Sequence, residues 1–228
     1  MNLCSHGNRA TISLQPGEIF FVKPSLLQGV LRYDWTLPPP YPLGSPFIRL
    51  YHHCWMLKHV DAIHTPQETT IYGNHPRGNF LVLKLKGNQK YYVSTRSLAG
   101  FSNEIRSIHT SIKIAPAFWL FHEHFFSVFE GPGSVLLYGA SLLEIASQTE
   151  FQPSRIIAFD ASKKFRPIAP SHRTLLSQII NILFSHDIIW QFVEPGDIIA
   201  ETCSDTEEKS RKGFFWHFCK HLLGFFKV

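Results

Sequence analysis

The chain has 228 residues, of which 44% are apolar and 17% are charged, a composition that supports a sizeable core and excludes a disordered chain. The formal net charge is +5, and the five basic residues after position 208 account for all of it, because 17 basic and 17 acidic residues precede them. A globally basic nucleic-acid-binding surface is therefore excluded, whereas a locally basic C-terminal segment is indicated.

Short β-prone runs separated by turn signals recur along the chain. Residues 80–86 and 90–94 flank Gly87-Asn88 and predict a β-hairpin. Residues 174–184 allow a strand or a helix, and their β-branched side chains favour a strand. Because no convincing long amphipathic helix interrupts these runs, we expect an all-β architecture of antiparallel strands. The other predicted strands are 18–22, 118–129, 134–138, 142–146, 155–159, 188–193 and 197–201.

A Pro-Gly step before an apolar run occurs three times, within residues 15–20, 131–136 and 194–199. Each step is followed by one polar residue and one β-branched residue. Proline at the first corner and glycine at the second suit a type II turn, in which glycine supplies the positive φ. We therefore predict one strand–turn–strand unit in three related places. Its turn residues are Pro16, Gly17, Pro132, Gly133, Pro195 and Gly196.

The glycines around Pro132 do not form a phosphate-binding loop. A P-loop requires a lysine followed by serine or threonine, and no Lys or Arg occurs between Lys113 and Arg155. A dinucleotide site requires a helix after the glycines, whereas a β-prone run follows here. The segment is better explained as a turn between strands.

In their order along the chain, these motifs resemble those of the altered-inheritance-of-mitochondria proteins (member twenty-four) and their bacterial relatives. The match comprises Pro-Gly-Glu at 16–18, a central pair of runs at 78–99, and turns at 129–135 and 192–198, and it spans about residues 10–202. Departures are the proline-rich segment 36–46 and Glu194 in place of glycine. The resemblance implies a TRAP-like double-stranded β-helix or prism with internal repeats and self-association. It implies no catalytic residue.

Two histidines, His122 and His124, form the strongest candidate metal pair. Residues two apart on a strand share a face, so both imidazoles could ligate one metal, as in a cupin-like enzyme. The glycine and the spaced glutamate that accompany this pair in cupins are missing. Two strands joined by a polar bend are therefore favoured over a metal site.

The four cysteines are widely spaced, and no CxxC pair occurs, so reduced thiols are expected rather than a disulfide framework. The N-terminal segment lacks the apolar core of a signal peptide, and no apolar run is long enough to predict a membrane-spanning helix. We expect a cytoplasmic protein, with peripheral membrane attachment as a further option, or a mitochondrial protein if the source is eukaryotic.

The C-terminal segment is the strongest functional candidate. Residues 204–212 predict a polar linker, and residues 213–228 predict an amphipathic helix with a narrow polar stripe. Such a helix could lie in a membrane interface, with lysines reaching anionic lipid, or dock on its own domain or on a partner subunit. The residues of this predicted surface are Phe214, Phe215, Trp216, Phe218, Lys220, Leu222, Leu223, Phe225, Phe226 and Lys227.

Taken together, these patterns predict an all-β domain over residues 10–203 followed by this linker and helix. The predicted function is a non-enzymatic scaffold or binding module that self-associates and attaches peripherally to a membrane. The alternatives are a cupin-like metal enzyme using His122 and His124, and an RNA-binding ring, which the charge-neutral body disfavours. We expect a homo-oligomer and an anionic membrane surface as partners, and no cofactor or nucleic acid. The pattern specifies no small-molecule ligand.

Overall fold

A computed structural model of the chain shows β-strands as the regular structure of the residues that it describes. Those residues are 1–23, 58–61, 67–94, 96–110, 126–141, 143–146, 150–152, 155–168, 189–194 and 198–202. The first nine strands are β1 (Asn2–His6), β2 (Arg9–Leu14), β3 (Ile19–Val22), β4 (Lys58–Asp61), β5 (Gln67–Tyr72), β6 (Asn79–Leu85), β7 (Lys90–Ser94), β8 (Leu98–Ser102) and β9 (Ser107–Thr110). The others are β10 (Phe126–Glu130), β11 (Gly133–Gly139), β12 (Leu143–Ala146), β13 (Glu150–Phe151), β14 (Ile156–Asp160), β15 (Phe165–Ile168), β16 (Ile189–Phe192) and β17 (Ile198–Glu201).

The all-β prediction is confirmed. The runs predicted at 18–22, 134–138 and 155–159 correspond to β3, β11 and β14, and those at 142–146, 188–193 and 197–201 to β12, β16 and β17. Pairing also begins earlier than the predicted domain boundary at residue 10, because β1 starts at Asn2. The strand predicted at 174–184 lies outside the described residues, as does most of the one predicted at 118–129.

The strands form four antiparallel sheets, here named sheets A to D. Sheet A has the order β1-β2-β5 and sheet B the order β4-β3-β8-β11-β6. Sheet C has the order β12-β17-β14-β7-β10-β9 and sheet D the order β13-β16-β15. Three apolar clusters lie between A and B, between B and C, and between C and D, so the sheets stack as four layers.

The two central sheets are covered on both faces. In β11, Val135 and Leu137 belong to the core between sheets B and C, whereas Leu136 between them belongs to the core between A and B. Strand β17 alternates in the same way between the B–C core and the C–D core. Because successive strand residues point to opposite faces, strands buried on both faces must be continuously apolar.

The core between sheets C and D is rich in aromatic rings. Phe165 stacks on Trp190 with ring centroids 4.5 Å apart, and Phe159 meets Phe192 edge-on at 5.3 Å. Phe126 packs edge-on against Phe159 at 5.6 Å. Tilted, stacked and edge-on ring pairs of this kind add stability beyond the area that they bury. The high phenylalanine content of the chain is thus used partly to fill this layer.

Three two-stranded ribbons fold across the layers and produce the internal repeat. In the first, β2 pairs with β5 in sheet A, and their neighbours β3 and β4 pair in sheet B. In the second, β6 pairs with β11 in sheet B, and β7 pairs with β10 in sheet C. In the third, β14 pairs with β17 in sheet C, and β15 pairs with β16 in sheet D. Each ribbon therefore contributes to two adjacent sheets.

Every Pro-Gly step lies where one strand of a ribbon changes sheet. Pro16 and Gly17 join β2 to β3: Gly17 has φ 86°, and the Glu18 N–H donates to the Gln15 carbonyl at 3.0 Å, the geometry of a type II turn. The step at 195–196 lies between β16 and β17, outside the described residues.

The corner at Pro132 differs from the predicted type II turn. The peptide bond between Gly131 and Pro132 is cis, and Gly133 opens β11 with φ 145°. The Ser134 N–H donates to Ser102 Oγ at 2.9 Å rather than closing a local turn. The Pro-Gly pattern therefore marks a corner without determining its backbone conformation, because a neighbouring strand supplies the acceptor.

The hairpin predicted for residues 80–94 is wrong. Strands β6 and β7 are consecutive, but they lie in different sheets and pair with β11 and with β10 and β14. A tight turn does join them, with Gly87 at φ 50° and the Gln89 N–H donating to the Lys86 carbonyl at 2.9 Å. A local turn signal cannot distinguish a hairpin from a corner between layers, because both need the same reversal of the chain.

Candidate functional site

Strand β6 is an apolar edge strand of sheet B. It pairs with β11 along its whole length, and within the described stretches no strand pairs with its other side. Leu81, Val82 and Leu83 follow one another in its centre, and Lys84 is its charged residue. Natural edge strands are commonly short, charged or interrupted by proline. A seven-residue apolar edge is therefore a feature that calls for a partner.

The backbone groups that face the open edge follow from the hydrogen bonds on either side. The Phe80 N–H donates across to the β1–β2 turn at 2.9 Å, so it points away from β11. Ser134 lies opposite Lys84, yet the Ser134 N–H donates to Ser102 Oγ on the far side. Backbone groups of an antiparallel strand alternate between its two sides. The N–H and C=O groups of Val82 and Lys84 therefore face the open edge.

The side chains along this edge lie at the rims of two cores. Leu81 and Leu83 are half-buried against the B–C core, and Val82 is half-buried against the A–B core. Lys84 is exposed. A strand added beside β6 would therefore bury apolar surface on both faces while pairing the open backbone groups.

A tyrosine holds the segment that leads into β6. The Tyr138 hydroxyl accepts the His75 N–H at 2.7 Å and donates to the His75 carbonyl at 3.3 Å. Gly73 and Gly78 leave room for the ring, because a Cβ atom at either position would lie 2.2 Å or less from a Tyr138 atom. Burial raises the pKa of the phenol, so the hydroxyl stays a donor at neutral pH. These contacts fix the start of the edge strand.

A buried carboxylate, Glu201, lies at the end of β17 and is only 2% exposed. Its Oε1 accepts the Ala140 N–H at 2.8 Å, and its Oε2 lies 3.8 Å from Arg96 Nη2. Arg155 donates to the Glu201 carbonyl at 2.9 Å and to the Thr202 carbonyl at 2.7 Å. A buried charge is tolerated only with such partners. We assign the cluster a structural role, which is to anchor the end of β17.

The functional residues predicted from sequence lie outside the described residues. This applies to the surface at 213–228, to the linker at 204–212, and to His122 and His124. The metal-enzyme alternative therefore stays a prediction. In the stretches that the structure describes, no three His, Cys, Asp or Glu side chains group in a way that could hold a metal ion. Those same stretches contain no helix long and apolar enough to cross a membrane.

Sequence analysis missed the β6 edge because it assigned residues 80–86 to a hairpin. A signal was available: Phe80 to Leu83 are four consecutive apolar residues, which favours a strand covered on both faces over a half-exposed hairpin arm. Glu201 carried no comparable signal, because a single acid at the end of an apolar run is also typical of an exposed strand end.

No protein-family model matches the chain, and no curated protein sequence matches it. Among solved structures, the crystal structure of the protein SPYM3_0169 from Streptococcus pyogenes matches 98% of this chain and 99% of its own, with a TM-score of 0.60 and 10% sequence identity. At this identity the similarity concerns the fold alone. The chain is therefore similar in fold to SPYM3_0169 over nearly its whole length.

Proposed function

We propose that the protein is a non-enzymatic scaffold or binding module that self-associates through the open edge of β6. The observation that supports this most directly is the pair of unpaired backbone sites at Val82 and Lys84 on an apolar strand. Such an edge is a template for strand addition, in which main-chain hydrogen bonds supply affinity and flanking side chains supply specificity. Pairing there also covers the half-buried Leu81 and Leu83.

The same proposal includes a relationship to the altered-inheritance-of-mitochondria (member twenty-four) group and its TRAP-like fold. That resemblance implies internal β repeats, and the three folded ribbons with their Pro-Gly corners are consistent with this implication. The similarity in fold to SPYM3_0169 assigns no activity.

Peripheral attachment to an anionic membrane through residues 213–228 is the second part of the proposal. It is supported by the amphipathic pattern of that segment and by the basic residues that follow position 208. Flotation with anionic liposomes should recover the full chain and lose a chain that ends at residue 208. Equal recovery of both chains would refute attachment through this segment.

Self-association is tested by sedimentation velocity of the full chain with two variants at one position. Lys84→Pro removes the edge-facing N–H and leaves the β6–β11 hydrogen bonds intact, because proline is tolerated on an edge strand when its missing N–H faces outward. Lys84→Ala removes the same charge and keeps the N–H. We expect the native chain and Lys84→Ala to associate, and Lys84→Pro to remain monomeric with an unchanged circular dichroism spectrum. A native chain that is monomeric at every concentration would overturn the proposal.

A further inference from the structure

We infer that β6 pairs antiparallel with β6 of a second copy of this chain, with Leu83 on the two-fold axis. This inference rests on the proposed self-association and adds the partner strand and its register. It joins the two copies of sheet B into one continuous sheet.

The register follows from the length of edge that is free. At one end, the Phe80 N–H is bonded to the β1–β2 turn, which lies across that side of the strand. At the other end, the Lys86 N–H donates to Gln89 Oε1 at 3.1 Å, and the chain turns toward sheet C. The free edge therefore runs from Leu81 to Leu85. Antiparallel pairing of this stretch with itself places its midpoint, Leu83, opposite the same residue of the second copy.

This register uses every unpaired N–H of the edge. Val82 of one copy lies opposite Lys84 of the other, and each such pair exchanges two hydrogen bonds, which makes four across the interface. Pairing centred on Lys84 would instead set two lysines directly opposite each other, and like charges in that position are destabilising. Pairing centred on Val82 would place Lys84 opposite Phe80, where the β1–β2 turn already lies.

The side chains agree with the same register. Leu81, Leu83 and Leu85 share one face of β6, the face toward the B–C core. Across the two-fold axis, Leu83 meets Leu83 and Leu81 meets Leu85, which continues the apolar core through the interface. On the other face, the aliphatic stem of Lys84 covers Val82 of the second copy and leaves the ammonium group in water.

A second copy fits this edge better than an unlike strand does. The edge is complementary to itself in backbone groups, in leucine spacing and in the offset of its lysine. The opposite edge of sheet B, β4, has the sequence Lys58-His-Val-Asp61 and is charged at both ends. A two-fold interface also closes on itself, so the product is a dimer and not a filament.

Single cysteines at positions 82, 83 and 84 test the register in a full-length chain whose four native cysteines are serines. At the axis, Leu83 is a non-hydrogen-bonded pair with a Cα separation of about 4.5 Å, which suits a disulfide. Like residues at 82 or 84 would be roughly 7 Å apart or more, which does not. On mild oxidation we expect a dimer band for Leu83→Cys and little or none for Val82→Cys and Lys84→Cys. Adding Lys84→Pro to Leu83→Cys should abolish the band.

The outcomes separate this inference from the proposed function. Faster cross-linking at 82 or at 84 would overturn the register. No cross-link at any of the three positions, in chains that still associate in the ultracentrifuge, would refute β6–β6 pairing and leave self-association standing. A folded chain that stays monomeric would refute both.

Discussion

Two buried serines on the central sheets, Ser127 in β10 and Ser102 at the end of β8, should respond in opposite directions to loss of their hydroxyl groups. Each is 1% exposed. In the described part of the chain, Ser127 Oγ has no hydrogen-bond partner. Ser102 Oγ accepts the Ser134 N–H at 2.9 Å. The same change to alanine therefore removes an unsatisfied group at one site and a satisfied group at the other.

The magnitudes follow from the cost of burying an unpaired polar group, about 1–3 kcal/mol. Ser127→Ala removes that cost and a few packing contacts, so the free energy of unfolding should rise by about 1 kcal/mol. Ser102→Ala leaves the Ser134 N–H without its acceptor, so the free energy of unfolding should fall by about 1–2 kcal/mol. Because both changes replace serine by alanine on a strand, the difference between them, about 2–3 kcal/mol, isolates the hydrogen bond.

Urea denaturation of the two variants and the native chain measures both values, provided that the slope against urea concentration is unchanged. In thermal unfolding, each kcal/mol corresponds to roughly 2–4 °C for a domain of this size. Equal destabilisation by both substitutions would refute the reasoning, because it would mean that Ser127 Oγ has a partner as good as that of Ser102.

Two further predictions concern close packing and an ion pair. In Gly139→Ala, the new Cβ would lie 2.4 Å from Leu143 Cδ2 and 2.7 Å from Glu201 Oε1, so we expect a loss of about 1–3 kcal/mol in urea denaturation; Leu143→Ala should relieve part of it, and strict additivity of the two changes would contradict the clash. Lys90 lies 3.2 Å from Glu130, and its hydrogen bond lowers the pKa of that carboxyl below the ordinary 4.5, so this stability is present above that value and is lost as pH falls through the lowered pKa. Glu130→Gln should flatten the acid limb of a stability–pH profile, and an unchanged limb would argue against the ion pair.

The strands that were predicted correctly are those with long apolar runs. Residues 134–138 and 197–201 are continuously apolar or nearly so, and both belong to strands buried on two faces. Strand β2 was missed, although Ala10, Ile12 and Leu14 alternate with polar residues and are buried while their neighbours are not. Its period-two pattern was readable, but its low overall hydrophobicity concealed it.

Of the candidate site, only the apolar character of residues 80–83 was readable in advance. Whether that run is a covered strand, a hairpin arm or an open edge depends on which strand lies beside it. Its neighbour β11 is distant in sequence, and so is the β1–β2 turn that bonds Phe80. Partner choice between distant strands leaves no local pattern, so the open edge could not be derived from the run itself.

By itself, the sequence determined the all-β class, the position of several strands and the three Pro-Gly corners, because side-chain periodicity and the φ preferences of proline and glycine act over a few residues. Only the tertiary structure decided that these corners connect stacked layers, that β6 and β7 separate into different sheets, and that β6 is left at an edge. Those outcomes depend on which apolar faces find one another across long stretches of chain. A turn residue sets the direction in which the chain leaves, and burial of both faces sets where it arrives.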